Sequence, residues 1–265
     1  MEETAQRSPV SLAECAVLIT GGTSGVGLAT ALKFAQSGVG KIAIVGRDHE
    51  RGHAARQAIA DSQPGIDVQY LSGDANKATE AARLCSVVCQ RFGSIDVLVN
   101  STVGPAAPAL LHQIPIEDIE RILLAQMLGP LLMSRAALPY MREKGSGSII
   151  NVSSDAGKLA TPGESVIGAA MAGIIMFSRT LAIEAKRNGI RVNVLTPSLI
   201  EGTLTSARMM KDPFASKLFD KARQAASLGV VQAQDLAEFI VFLAGPQAAR
   251  ITGQAISING GISAA

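Results

Sequence analysis

Short apolar runs alternate with longer segments of helical periodicity along this chain of 265 residues. The apolar runs predict strands at residues 16–20, 41–45, 68–72, 95–100, 148–152, 190–195 and 255–258. The longer segments predict helices, the first ending near residue 36 and the others at about 50–62, 78–92, 117–141, 165–187 and 234–244. Continuous apolar strands joined by helices are typical of a parallel sheet buried on both faces. The sequence therefore predicts one doubly wound α/β domain over residues 12–265.

Two segments depart from this regular alternation. The helical pattern at 117–141 is interrupted by Gly129-Pro130, which predicts a break in the helix. The stretch 201–227 is more polar and has little strand signal, so it is predicted to be a mobile helical lid.

Composition excludes several classes of protein. Hydrophobic residues make up 48% of the chain, which excludes a disordered protein. A formal net charge of +2 without a basic run argues against nucleic acid or an anionic membrane as a partner. The three cysteines predict neither a disulfide framework nor a metal site. Residues 1–11 are predicted to be a flexible polar tail rather than a signal peptide, which predicts a cytoplasmic protein.

A glycine-rich turn follows the first predicted strand and precedes a predicted helix. Glycines at such a turn let the backbone approach a pyrophosphate, and the helix N-terminus offers free N–H groups and a positive dipole end. The predicted cofactor-binding residues of this turn are Thr20, Gly21, Thr23, Ser24, Gly25, Val26 and Gly27. The alternative is a structural glycine turn that binds no ligand.

Residues at the ends of the next strands predict the rest of a dinucleotide site. An acidic residue after the second strand is typical of NAD binding, but this chain has Gly46 followed by Arg47, which favours the 2′-phosphate of NADP. Asp74 is a candidate acceptor for the adenine amine, and Asn100 ends the fourth strand beside the predicted groove. Arg47 as an exposed arginine and Asp74 as a turn cap remain the alternatives.

Taken together, these patterns resemble the short-chain dehydrogenase/reductase family over nearly the whole chain. The resemblance includes the glycine turn, Asp74, the strand motif at 95–100, and the segments 149–154, 190–193, 251–254 and 260–261. It implies a single Rossmann-type domain, usually in a tetramer. It also implies hydride transfer by NAD or NADP, assisted by a tyrosine, a lysine, a serine and an asparagine.

The implied catalytic residues are mostly replaced in this chain. The serine is present as Ser154, but the tyrosine position holds Ile167 and the lysine position holds Met171. The asparagine position holds Gln126. The two tyrosines of the chain, Tyr70 and Tyr140, belong to other predicted elements and are not expected to substitute.

Two further side chains are candidate replacements for the missing acid and base. Lys158 follows Ser154 in a loop, and His112 follows the fourth strand. His112 is expected to be a surface residue, with a replacement acid as the alternative. Smaller departures from the family pattern are Val103 in place of a glycine, Gly202 next to Thr203 in place of a threonine, and Asn259 in place of an aspartate.

Three functional hypotheses fit this pattern. The first is a non-catalytic subunit that works beside an active paralogue and shares its small-molecule substrate, similar to the silent subunit of two-subunit hydroxyacyl-CoA dehydrogenases. Its interface is expected to use the helices at 117–141 and 165–187. The second is an oxidoreductase or isomerase with divergent chemistry that uses Ser154, Gln126 and a bound cofactor. The third is a nucleotide-sensing scaffold.

Overall fold

A seven-stranded parallel sheet forms the centre of the computed structural model, which describes residues 11–265. The strands in chain order are β1 Ala16–Thr20, β2 Lys41–Gly46, β3 Asp67–Ser72, β4 Val97–Asn100, β5 Gly147–Val152, β6 Ile190–Pro197, β7 Ile200–Glu201, β8 Val231–Gln232 and β9 Ala255–Ile258. The large sheet has the order β3-β2-β1-β4-β5-β6-β9, and β7 pairs with β8 in a small separate sheet. The predicted doubly wound parallel sheet is confirmed. The predicted tail lies almost entirely outside the described residues.

Helices cover both faces of the large sheet. They are α1 Gly25–Gln36, α2 His49–Ser62, α3 Ala78–Phe92, α4 Asp118–Lys144, α5 Ser165–Ala185, α6 Leu204–Met209, α7 Pro213–Ala225 and α8 Ala233–Ala244. Side chains alternate along β1, so that Val17 and Ile19 pack with α1, α2 and α8, while Ala16 and Leu18 pack with α3, α4 and α5. This double burial explains why the strands are apolar throughout.

The predicted break in the helix at 117–141 is wrong, because α4 runs without interruption through Pro130. Proline removes one helical hydrogen bond. At this point the helix is supported from outside, since the Gly129 N–H donates to Asn76 Oδ1 at 2.8 Å. Tertiary contacts thus hold a segment that local propensity alone would interrupt.

The predicted lid contains α6 and α7, in agreement with its helical pattern. Thr203 caps α6 through a hydrogen bond from the Ser206 N–H, and Asp212 caps α7 by accepting from two backbone N–H groups. The mobility of this segment stays a prediction.

Two helices, Asp118–Lys144 and Ser165–Asn188, are long and apolar enough to cross a membrane by length and composition. Both helices pack against the sheet, and a core helix of a globular domain gives the same signal.

Candidate functional site

One pocket of about 360 Å³ runs along the edge of the sheet at which the parallel strands end. It is lined by residues from the glycine turn, from the ends of β2 and β3, from the loop after β4, and from α4, α5 and α6. The pocket therefore brings together most of the predicted site residues, which are Gly21, Thr23, Ser24, Gly25, Val26, Arg47, Asp74, Gln126, Ser154, Ile167 and Met171.

The glycine turn is packed so tightly that side chains are excluded at two of its positions. Gly21 has a φ of 69°, and a Cβ atom there would lie 2.6 Å from the Ser101 carbonyl oxygen. A Cβ atom on Gly27 would lie 2.3 Å from the Gly21 carbonyl oxygen. These contacts hold the turn close to the sheet and place the start of α1 at the pocket.

The N-terminus of α1 is suited to bind an anion. Ser24 precedes the helix but its side chain makes no capping hydrogen bond. Gly25 has a φ of 51° and opens towards the pocket, where only Thr203 lies within 4 Å of a Cβ built on it. The first N–H groups of a helix have no intrahelical partner. The residues present therefore fit the pyrophosphate of a dinucleotide.

Three residues predicted to bind the cofactor do not line the pocket. Gly27 is packed behind the turn, as described above. Thr20 and Asn100 belong to a buried polar chain in which Thr20 Oγ1 donates to Asn100 Oδ1, and Asn100 Nδ2 donates to Asn151 Oδ1 at 2.8 Å. Asn151 in turn donates to Ser178 on α5. Their observed contacts tie β1, β4, β5 and α5 together beneath the pocket.

The end of β2 has no room for an acidic side chain. A Cβ atom on Gly46 would lie 2.5 Å from the Thr23 side chain. Exposed Arg47 follows, and both Arg47 and Arg51 line the pocket there. Cations at this end, with the acidic position filled by glycine, favour a 2′-phosphate over a free ribose hydroxyl.

Asp74 lies where β3 is followed by α3, and its carboxylate accepts from the Asn76 N–H at 3.0 Å. It thus serves as a turn cap and lines the pocket at the same time. The two interpretations of Asp74 made from the sequence are therefore compatible.

The other end of the pocket contains Ser154 and the replaced positions. Ser154 Oγ accepts from the Ala156 N–H at 3.2 Å. Ile167 and Met171 lie on α5 and form part of the wall, with Met171 buried. Gln126 is buried as well, and its Oε1 accepts from the Gly104 N–H at 3.0 Å. This end therefore contains a hydroxyl and an amide, but no tyrosine or lysine lines it among residues 11–265.

None of the considered substitutes reaches the pocket. Tyr70 lies on β3, where its hydroxyl donates to the carbonyl groups of Gly46 and Asp48. Tyr140 lies on α4 and packs, partly buried, against the core cluster that includes α3. His112 is exposed, as expected for a surface residue. Lys158 contacts Ser257 and lies 3.8 Å from the Asp155 carboxylate, so it is engaged away from the pocket.

Two charged residues of the pocket, Arg51 and Glu164, were missed by the sequence analysis. Glu164 immediately precedes α5 and lines the same pocket as Ser154 and Ile167. Burial raises the pKa of Glu164, and a hydrogen bond with Thr161 opposes this shift in part. The sequence signal for Glu164 was its position three residues before Ile167, because residues three apart at the start of a helix lie close together.

The smaller departures have structural counterparts. Val103 lines the pocket and is about half exposed, so its side chain lies beside the groove. Thr203 lines the pocket next to Gly25. Asn259 donates to the buried carboxylate of Asp155, so the acid missing at position 259 is present on the loop after Ser154.

Comparison with known proteins agrees with this architecture. A family model described as enoyl-(acyl carrier protein) reductase matches residues 21–263. The 3-oxoacyl-(acyl-carrier-protein) reductase FabG of Thermotoga maritima is 33% identical over 92% of this chain and 96% of its own length. The 2-(S)-hydroxypropyl-CoM dehydrogenase 3 of Xanthobacter autotrophicus is 32% identical over 94% of this chain and 96% of its own length.

Solved structures show the same fold. Levodione reductase superposes with a TM-score of 0.86 at 27% identity, covering 94% of this chain and 97% of that structure. The 3-ketoacyl-(acyl-carrier-protein) reductase of Brucella melitensis, complexed with NADH, has a TM-score of 0.83 at 29% identity, with 94% and 98% coverage. Together with the parallel sheet, the glycine turn and the groove, these matches show that the chain belongs to the short-chain dehydrogenase/reductase family of oxidoreductases.

Proposed function

We propose that this chain is a cofactor-binding but non-catalytic subunit of a cytoplasmic, hetero-oligomeric NAD(P)-dependent alcohol dehydrogenase of the hydroxyacyl-CoA type. The observation that carries the proposal is the wall formed by Ile167 and Met171. These two apolar side chains stand at the positions of the family's acid and cation, in a groove that retains the glycine turn and Ser154. Neither side chain is able to donate or accept a proton.

The groove fits NADP better than NAD. Gly21, Ser24 and Gly25 are placed to hold the pyrophosphate, and Arg47 with Arg51 to hold a 2′-phosphate. When bound, such a cofactor supplies or accepts a hydride. The remaining side chains Ser154 and Gln126 are placed to orient a substrate oxygen beside it, without a protein group that completes the proton transfer.

An exposed apolar face on α5 supports the assembly part of the proposal. Ala169, Ala172, Met176 and Ile183 are all exposed and share one side of the helix by their spacing. Exposed Leu124 lies on the neighbouring helix α4. The glycines of α5 are used within the chain, since Gly168 packs on the Ala156 carbonyl and Gly173 on Met127. Among the apolar side chains of α5, the alanine, methionine and isoleucine side chains are therefore available to a partner.

A matched purification tests this assembly. The chain carries an affinity tag and is purified from its native host, and the captured proteins are identified by mass spectrometry. The expected partner is a paralogue with an intact Tyr-x-x-x-Lys pair. As a matched control, Met176→Glu with Ile183→Lys places charges on the exposed face of α5 and is expected to abolish capture without unfolding the chain. Recovery of a homo-oligomer alone would contradict the proposal.

A second candidate function is an oxidoreductase or isomerase with divergent chemistry at the chain's own pocket. The specific observation in its favour is Glu164, a titratable group in the same pocket as Ser154 and Gln126. Turnover by the isolated chain that is lost in Glu164→Gln would favour this candidate over the silent subunit.

A further inference from the structure

The catalytic end of the pocket lacks the family's cation and contains an acidic side chain. Glu164, Ile167 and Met171 are spaced by three and four residues, and all three line the pocket at the start of α5. The lysine position of the family pattern holds Met171, which has no charge. Two turns earlier, immediately before the helix begins, Glu164 supplies a carboxyl group.

The Glu164 carboxyl group has no cationic partner among residues 11–265. Its hydrogen bond with Thr161 is a neutral contact. The pocket that Glu164 lines also contains apolar side chains, which include Val103, Pro108, Ile167, Met209 and Phe219. An unpaired carboxylate in apolar surroundings is costly, and this is the reason that burial raises the pKa of Glu164.

Charged groups on the elements around this end are engaged elsewhere or exposed. Arg208 on α6 donates to the Gly104 carbonyl, and Lys158 is held by Ser257 and Asp155. On α7, Arg223 pairs with Glu201 and Asp220, Asp212 caps the helix, and Lys217 and Lys221 are exposed. The other charged residues that line the pocket belong to the ends of β2 and β3, on the far side of β1 and β4, and are Arg47, Arg51 and Asp74.

We propose that this end of the pocket binds a cationic organic ligand, an amine or iminium ion, through an ion pair with the Glu164 carboxylate. The cation supplies the partner that the chain lacks, and a charge-assisted hydrogen bond is stronger here than one between neutral groups. The apolar side chains that line the pocket are available to cover the hydrocarbon part of the ligand. The ligand class goes beyond the subunit role and does not depend on a partner protein.

The same ligand class suits a pocket that has lost its tyrosine. Reduction of a ketone requires a proton donor beside the substrate oxygen, whereas a cationic nitrogen held by a carboxylate requires none. A lysine at position 171 would repel such a ligand, and Met171 does not.

Calorimetric titration of the full chain tests the ligand class, with and without NADPH. Cyclohexylamine is the probe and cyclohexanol is the neutral compound of the same shape. We expect saturable binding of the amine and much weaker binding of the alcohol. Glu164→Gln is expected to weaken amine binding by about tenfold or more, as for loss of a charged hydrogen bond. Glu184→Gln is the control on the same helix, since Glu184 is exposed and lies outside the pocket.

A proton measurement in the wild-type chain keeps the test independent of the variant's folding. Because binding of a cation favours the carboxylate, amine binding at acidic pH is expected to release a proton from Glu164, so the binding heat should depend on the ionisation heat of the buffer. Equal affinity for amine and alcohol, or no amine binding with or without NADPH, would overturn the proposal. So would amine binding that releases no proton near the raised pKa. A failed proposal here would leave partner capture unaffected.

Discussion

The side chains of Ile167 and Met171 determine which proton chemistry the pocket can perform. Both line it from α5, and neither has a titratable group. Loss of one general acid typically lowers a rate by about 10²–10⁴. Loss of the neighbouring cation as well affects the same constellation, so the two losses do not simply add. The isolated chain is therefore expected to be a poor carbonyl reductase.

Restoring the two family side chains is the direct residue-scale test of this expectation. Ile167→Tyr with Met171→Lys should raise NADPH-dependent reduction of a β-ketoacyl thioester by about 10² or more above that of the wild-type chain. Ile167→Phe with Met171→Leu changes the size of the side chains without adding an acid or a cation, and should give no gain. An equal rise in both double variants would show that the wall's shape matters rather than its proton chemistry.

A second residue-scale prediction concerns the cofactor preference. Arg47→Ala should weaken NADPH binding by about tenfold or more, because a charged contact to the 2′-phosphate is lost. NADH binding should change little. Arg187→Ala, at an exposed arginine outside the pocket, is the control. Fluorescence titration of both nucleotides measures the effect, and equal losses for NADH and NADPH would contradict a 2′-phosphate contact.

The raised pKa of Glu164 also predicts a pH dependence of stability. Above the ordinary carboxyl pKa of 4.5, the folded chain holds a proton at Glu164 that the unfolded chain has released. Folding stability from this group is therefore present at low pH and is lost as pH rises through the raised pKa. Relative to Glu164→Gln, the wild-type chain should lose stability across that window in urea titrations. A constant difference between the two proteins would mean that the pKa is not raised.

At the scale of elements, the loop after Ser154 is tied to the segment after β9. The buried Asp155 carboxylate accepts from the Asn259 amide, and from the hydroxyl groups of Ser257 and Ser263. Lys158 lies 3.8 Å from the same carboxylate. This cluster holds the loop that carries Ser154 against the end of the sheet.

Removing the carboxylate should therefore loosen two elements together. Asp155→Ala removes the acceptor of the buried Asn259 amide, at a cost of about 1–3 kcal/mol for such a group, and the acceptor of two partly buried hydroxyl groups. We expect a clear fall in the free energy of unfolding, with faster hydrogen exchange at both β9 and the loop after Ser154. Asp61→Ala, at an exposed position on α2, should leave both measurements nearly unchanged. Exchange that increases at only one of the two segments would show that the cluster does not couple them.

Strands and helices were predictable from the sequence because they depend on a periodic pattern of apolar residues. The continuity of α4 was not, since it depends on the contact between Gly129 and Asn76, which are distant in the chain. Within the site, the glycine turn followed from local spacing, and the replaced catalytic positions followed from the family resemblance. Glu164 was missed because the family pattern assigns no role to its position. The buried polar chain that contains Thr20 and Asn100 could not be predicted, because it depends on how β1, β4, β5 and α5 pack together.

At the scale of the whole molecule, two surfaces support the proposed function. The groove along the sheet edge retains the features of a dinucleotide site, while its catalytic end lacks the family's acid and cation. The exposed face of α5 presents apolar side chains that the chain itself does not cover. The groove without its catalytic pair and the apolar face both support the proposed role as a subunit beside an active paralogue.

Turnover of the isolated chain and of its native complex tests the proposed subunit role most directly. Both are assayed for NADP(H)-dependent conversion of hydroxyacyl and ketoacyl thioesters at equal protein concentration. We expect turnover by the chain alone to be about 10² or more below that of the complex, and turnover by the complex to be lost when the paralogue's tyrosine is changed to phenylalanine. A stable homo-oligomer of this chain with full activity would contradict it.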